Sequence, residues 1–385
     1  MRCKASELKE IMSPAINLAT GRSPLVPVLQ GVMLSYDGEE EVVCTASDTT
    51  LFLESRGLLP PELLKEEKIG CVVYGDFYKI IEMLGDKDIT VTQDKKKIKI
   101  LAEDEDYTFP YTPAEEFVDV KPPTAAMVTE MTLPIKELGR ILAAVQYSAQ
   151  TKEYYGNTCM IEFRSKDGRT YFSTTREISL AIYSLDIDCG VESFLVPPDY
   201  LSIVNKGARQ NGGSVTITLF PRMIKMETQG FIFWGLRASD DKFPDVMSVI
   251  AKTTDDARIT ITRGDMKRAI DKLYAIRPKY APPVYLSTEG GSFIFGMEQT
   301  EDGSAAAIKL TAVLSGGEHR YRFNLLYLRD AFQSLSAEEV TMRLVRLGNG
   351  VKCLIVEDGY DERNVRLLAA LHDGPPTEEE GKDEV

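Results

Sequence analysis

Val73-Tyr74-Gly75-Asp76-Phe77-Tyr78-Lys79-Ile80-Ile81-Glu82-Met83-Leu84 decides the fold, together with the residues after it: a polar turn, then Ile89-Thr90-Val91-Thr92, the turn 93–96, and Lys97-Ile98-Lys99-Ile100. The stretch reads as a strand end, an amphipathic helix and a β-hairpin, because its apolar period changes from about 3.6 to 2. The same order recurs at Val196-Pro197-Pro198-Asp199-Tyr200-Leu201-Ser202-Ile203-Val204, with the hairpin Val215–Thr218 and Ile224–Glu227. It recurs again at Phe323-Asn324-Leu325-Leu326-Tyr327-Leu328-Arg329-Asp330-Ala331-Phe332, with the hairpin Val340–Leu344 and Val351–Leu354. Aligning Phe77, Tyr200 and Tyr327 gives spacings of 123 and 127 residues. A fixed period is the signature of a repeat architecture.

A second helix keeps the same register. Leu8-Lys9-Glu10-Ile11-Met12 corresponds to Leu138-Gly139-Arg140-Ile141-Leu142 and to Met266-Lys267-Arg268-Ala269-Ile270, with spacings of 130 and 128 residues. Each has apolar residues at i, i+3 and i+4, the one-face pattern. Asp265, just before Met266, reads as its N-terminal cap. The fold class is therefore α+β: three tandem repeats, each with two helices packed on antiparallel sheets. The stretches 119–124 and 252–257 have linker composition. They set the domains at 1–123, 124–252 and 253–373, before an acidic disordered tail at 374–385.

Composition narrows the chemistry. Two histidines in 385 residues, His319 and His372, argue against a Ser-His-Asp triad or a multi-His metal site. Cysteines 3, 44, 71, 159, 189 and 353 are scattered without metal-knuckle or redox spacing, as in a reducing compartment. Glu103-Asp104-Glu105-Asp106, read as one strand, would point to alternating faces and could not share an ion. It reads as an exposed edge that resists wrong pairing. No phosphate-cradling glycine loop and no nucleophile elbow is present. The start of the chain has no apolar signal core, and its longest apolar runs are strand-sized. A cytoplasmic protein with no catalytic residues, metal or cofactor is expected. Lys95-Lys96-Lys97 reads as a solvated hairpin tip, Gly290-Gly291 as a hairpin turn, and Trp234 as core.

Charge is unevenly placed. The chain carries −14, yet its six repeated helices sum to +5, of which residues 263–279 supply +4. Helices lining one surface would attract phosphates there while the remainder repels them. With no base-reading motif, such contact would be independent of sequence.

Over about residues 1–373 the chain resembles the bacterial DNA polymerase III beta subunit family, the sliding clamps. The resemblance rests on Pro27-Val28-Leu29, Thr45-Ala46-Ser47-Asp48, Tyr111-Thr112-Pro113-Ala114-Glu115-Glu116-Phe117, Tyr154-Tyr155, Leu195-Val196-Pro197 and Asp241-Lys242-Phe243-Pro244-Asp245, in order on the threefold repeat. It implies DNA-clamp domains assembling head to tail as a homodimeric ring around duplex DNA. The function would be topological: the ring gives processivity to the DNA polymerase III catalytic subunit, meets a clamp loader, and docks other proteins that carry a clamp-binding motif. The resemblance puts DNA-facing residues at Arg22 and at Gln150, Lys152 and Tyr154. On the repeated helices Lys9, Lys79, Arg140, Lys206, Arg209, Lys267, Arg268 and Lys272 join them. A partner-peptide pocket would use Tyr155, Thr175, Leu180, Pro244, Val249, Leu367, Leu368 and Leu371. The ring would close through Tyr107, Ala275 and Ile276.

The chain departs from the family in that pocket. Arg176, Glu177, Ile178 and Ser179 replace the usual residues between Thr175 and Leu180, and Ser248 replaces a usual basic residue. Two alternatives remain: a diverged accessory scaffold that binds peptides with little DNA role, or a carboxylate hydrolase, for which no spacing singles out a pair of acids.

Overall fold

The computed structural model describes residues 1–21, 26–59, 68–118, 125–151, 153–208, 213–237, 242–277, 283–299, 303–359 and 361–371. Among them the helices are α1 (Ala5–Gly21), α2 (Gly75–Leu84), α3 (Ile135–Val145), α4 (Pro198–Ala208), α5 (Val246–Ala251), α6 (Arg263–Ile276) and α7 (Leu325–Gln333). Six of these fall where the repeat puts them. Each expected hairpin forms, at Asp88–Gln93 with Lys97–Ala102, Ser214–Leu219 with Met223–Thr228, and Glu339–Arg346 with Lys352–Asp358. The short α5 was not anticipated; Asp245 caps it by accepting the Ser248 N–H at 3.2 Å.

Local chemistry corrects two sequence readings. α6 starts at Arg263, so its cap is Thr262, whose hydroxyl oxygen accepts the Asp265 N–H at 3.1 Å. The Asp265 carboxylate in turn accepts the Thr262 hydroxyl at 2.6 Å. Asp265 is thus inside the first turn, completing a reciprocal cap instead of forming the cap. The acidic run does not lie on one strand. Glu103 and Asp104 make the turn between Lys97–Ala102 and Glu105–Pro110, and only the latter two acids open the edge strand. The stretch 252–257, of linker composition, runs into the strand Thr254–Thr262.

The contacts fall into two compact units. One comprises Met1–Gly139, Cys189–Val191 and Asp199–Ser239; the other comprises Arg140–Asp188, Glu192–Pro198 and Asp240–Val385. In the first, an antiparallel nine-stranded sheet runs Thr129–Pro134, Ser214–Leu219, Met223–Thr228, Phe231–Leu236, Leu51–Leu58, Glu41–Ser47, Val32–Tyr36, Ile69–Val73, Thr112–Pro113. Strands of the second repeat here extend the sheet of the first, in the register Phe233↔Leu53. A four-stranded sheet ends on Glu105–Pro110. α1 packs on α2 and on the sheet. Gly57 makes room for Ile11 there: a Cβ at that position would lie 2.4 Å from Ile11 Cδ1 and force that side chain to shift. Trp234 is buried, as expected.

The second unit repeats the plan. Its nine-stranded sheet runs Ser193–Val196, Ile161–Lys166, Arg169–Arg176, Ser179–Leu185, Asp361–Ala369, Lys352–Asp358, Glu339–Arg346, Thr254–Thr262, Val313–Gly316. Strands of the second repeat join those of the third in the register Leu180↔Leu367. Pairing otherwise open edges in this way removes a hazard of exposed strands. A core of Ile259, Met266, Ile270, Leu273, Phe295, Phe323, Leu328, Phe332, Met342 and Val356 lies under α6 and α7. Gly290 and Gly291, both at φ 65°, turn the chain between Pro283–Ser287 and Phe293–Met297.

Candidate functional sites

Sheet register sorts the expected pocket residues by face. Thr175, Leu180 and Leu367 are cross-strand partners in one row, so their side chains share a face. Arg176, Ser179 and Leu368 form the next row and point to the opposite face. Leu368 therefore belongs to the core under the helices and does not join Leu180 and Leu367. Pro244 is exposed just ahead of α5, and Val249 is half-buried on it. Leu371 is half-buried and donates its N–H to the Arg322 carbonyl at 2.8 Å. The backbone of Tyr155 lies in the 3-10 stretch Glu153–Cys159. Ile178 accepts the Ala369 N–H at 2.8 Å, and Glu177 is exposed at the hairpin turn.

On the helix face, altered residues make a polar fastening. The Arg176 Nε donates to Ser179 Oγ at 2.9 Å, and its guanidinium carbon lies 4.0 Å from the Tyr327 ring centre. Its other end is 3.8 Å from the Asp330 carboxylate. Burial pushes the Asp330 carboxyl up, against the opposing pull of Arg176 and Arg329. Ser148 and Ser179 hydroxyls share a hydrogen bond at 2.9 Å, and Thr174 donates to the Val145 carbonyl at 2.6 Å. Beside them Arg366 is fully buried. It donates to Ser334 Oγ at 2.8 Å, the Ile182 carbonyl at 3.1 Å and the Ser334 carbonyl at 3.3 Å. Burial pulls this guanidinium's pKa down, and the Ser334 carbonyl and hydroxyl at the end of α7 receive its charge. Sequence reasoning passed over Arg366; a lone arginine in Val365-Arg366-Leu367-Leu368 was the available signal.

The expected DNA-facing residues differ in state. Lys9 is paired with Glu82 at 2.9 Å, and Lys79 with Asp76 at 3.0 Å. Arg140 and Lys206 are exposed on α3 and α4. Gln150 is half-buried, its N–H donating to the Thr158 carbonyl at 3.0 Å. Tyr154 has its backbone in the Glu153–Cys159 stretch. Arg22, Lys152 and Arg209 lie outside the described residues, as do His372 and the acidic tail. On α6, Lys267 is half-buried and Lys272 exposed, while Arg268 pairs with Asp265 at 2.5 Å. A cavity of about 580 Å³ opens beside them, lined by Arg263, Gly264, Lys267, Arg268, Asp271, Ser336 and Glu338. Three cations against two carboxylates suit this surface to attracting an anion.

Of the expected ring contacts, Ala275 and Ile276 end α6 and are exposed, Ile276 to 53%. Tyr107 is half-buried on the edge strand Glu105–Pro110, its hydroxyl donating to the Glu105 carboxylate. Burial pushes the Cys3 and Cys71 thiols up to about 12 and Cys353 to about 11, away from thiolate chemistry. Among the described residues no three His, Cys, Asp or Glu side chains converge as metal ligands. No described helix is long and apolar enough to cross a membrane.

No family model matches the chain. Among curated proteins it is similar to the beta sliding clamp of Escherichia coli K12, 23% identical over 348 residues, covering 89% of this chain and 91% of that protein. The beta sliding clamp of Proteus mirabilis is also 23% identical, over 349 residues, covering 88% and 92%. Among solved structures, a sliding clamp (DNA polymerase III subunit beta) from Pseudomonas aeruginosa bound to griselimycin superposes with a TM-score of 0.85 at 18% identity. That superposition covers 97% of this chain and 99% of that one. The DNA polymerase sliding clamp from Bacillus subtilis gives 0.85 at 17%, with the same coverage.

Proposed function

We propose that this chain, a member of the beta sliding clamp family, is a DNA sliding clamp: a ring of two copies that encircles duplex DNA and holds a replicative polymerase on it. The observation that carries this reading is the full-length likeness of fold, at a TM-score of 0.85 over 97% of the chain, to solved sliding clamps. The basic exposed face of α6 supports it, because cations concentrated on one helix of an acidic protein serve a local phosphate contact. The role is scaffolding, not catalysis: the ring slides, and its partners do the chemistry. Its place of action is the cytoplasm. Three domains, 1–123, 124–252 and 253–373, account for the threefold recurrence of helix and hairpin.

Leu180 and Leu367, with Thr175 at the end of their cross-strand row, are the anchors for partner peptides from the polymerase, the clamp loader and other clamp-binding proteins. Glu177 at the hairpin turn, its neighbour Ile178, and Ser248 on α5 alter the surroundings of that row, whereas Arg176 and Ser179 turn to the opposite face. This favours a partner set of the protein's own over the usual one, and it is the ground for the second reading, an accessory clamp.

The ring itself is tested through Ile276. An apolar side chain 53% exposed at a helix end is a natural interface anchor. In sedimentation equilibrium the protein is expected to be a dimer and Ile276→Asp a monomer of unchanged helix content. A dimeric Ile276→Asp, or a monomeric parent protein, contradicts the ring.

A further inference from the structure

α6 and α7 carry a cationic arrangement around Tyr274, a half-buried ring packed on the edge of the core. Tyr274 is held between two arginines, with the guanidinium carbon of Arg277 3.8 Å and that of Arg329 3.9 Å from the ring centre. One face of a phenol ring cannot seat two guanidiniums at that height, so the two lie on opposite faces. Both Nε atoms are buried and have no hydrogen-bond partner among the described residues.

Other stacked arginines in this unit show what is missing. Arg176 on Tyr327 has Asp330 at 3.8 Å, and Arg320 on Tyr285 has Glu298 at 3.7 Å. Among the described residues, Arg277 and Arg329 have no carboxylate within ion-pair distance. Two cations fixed across one ring repel each other, and among the described residues Asp330 acts on Arg329 only from beyond ion-pair distance. The arrangement fits an anion with several oxygens, which guanidinium forks recognise well. Tyr274 itself is held below the usual phenol range by hydrogen bonding and charge from Arg277 and Arg329, so a bound anion would raise it.

The same flank of the helix leads to the cavity beside Lys267. That lysine precedes Tyr274 by seven residues, two turns or about 10 Å along α6. Spaced cationic positions along one flank suit a polyanion better than a single small ion.

We propose that Arg277, Tyr274 and Arg329 form a phosphate-binding clasp that grips the backbone of duplex DNA in the third repeat. The proposal rests on the clamp reading and adds to it a fixed site that simple lining of a bore by helices does not supply. Tyr274 acts as the platform that holds both guanidiniums in place.

The test titrates the full-length protein with a random-sequence duplex oligonucleotide between about 50 and 200 mM salt. Each phosphate contact contributes about −0.9 to the slope of log affinity against log salt. The R277Q/R329Q double variant is expected to lose about 1.8 from that slope. K95Q/K96Q, on a hairpin tip of the other compact unit, should leave it unchanged. Tyr274→Leu, which removes the platform but no charge, should weaken binding at every salt concentration. Duplex should also raise the Tyr274 titration midpoint, read as the absorbance difference from Tyr274→Phe.

An unchanged slope in R277Q/R329Q overturns the proposal, including when its thermal midpoint falls, since that describes a merely structural clasp. Stabilisation by inorganic phosphate that the double variant abolishes, with the duplex slope unchanged, also overturns it and assigns the clasp to free phosphate. A parent protein with no salt-dependent duplex binding removes the clamp reading itself, a failure distinguishable from that of the clasp alone.

Discussion

α1 and α6 occupy the same place in the first and third repeats and have become different objects. α1 buries Ala5, Leu8, Ile11, Met12, Pro14, Ala15, Ile16, Leu18 and Ala19, and its Lys9 is neutralised by Glu82. α6 buries only Met266, Ala269, Ile270 and Leu273, and it presents Lys267, Arg268 and Lys272 on its remaining surface. The shared apolar register holds each helix on its sheet. What differs is the outer face, and that is where the two repeats part in function.

The comparison breaks first in the core. Met12→Ala in α1 and Ile270→Ala in α6 should each cost about 2–5 kcal/mol in urea unfolding, because each removes a fully packed side chain. A cost under about 1 kcal/mol at either position would mean that the register does not carry that helix.

Charge sharpens it. Neutralising Lys267 and Lys272 to Gln should shift stability by less than about 0.5 kcal/mol. Yet it should lower duplex affinity and reduce the salt slope by about 0.9 for each side chain in phosphate contact. Lys9→Gln should leave the slope unchanged, since Glu82 already holds that charge. Equal effects at both helices would erase the distinction.

Smaller effects are expected from the helix start and from pH. Thr262→Ala removes an acceptor for the first turn of α6 and should cost about 1 kcal/mol in thermal or urea unfolding. Below α6, burial pushes the carboxyls of Asp255 and Asp256 up. Hydrogen bonds and charge from Arg343 and Arg258 at the first, and from Tyr321 and Arg346 at the second, outweigh it and leave both below 3.8. Such depressed groups stabilise the fold fully above the unfolded value and lose that contribution as pH falls through the folded values. Urea midpoints should therefore drop below about pH 4, and the drop should be shallower in R343Q/R346Q. An identical pH profile in that variant would remove these pairs from the account.

Much of this was legible in the sequence. Six helices and three hairpins come from apolar period alone, because each buries one face. The residues that escaped did so for physical reasons. Leu368 and Leu367 are neighbours in sequence, but a strand sends them to opposite faces, and only the register decides which one faces the helices. Asp265 looked like a cap because caps and first-turn acids use the same residue types. α5 is too short for periodicity to detect. Arg366 and the Tyr274 clasp depend on side chains from separate elements, Ser334 and Ile182 for the one and α7 for the other, and no local pattern announces them.

A sliding clamp holds DNA by topology. The most direct measurement is retention of the protein on nicked circular DNA after loading by a clamp loader, before and after the circle is cut once. A sliding ring stays on the circle through a salt wash and is lost when the circle is linearised. Retention that is the same on circle and on linear DNA, or none on a circle with a loader active on its usual clamp, would contradict it.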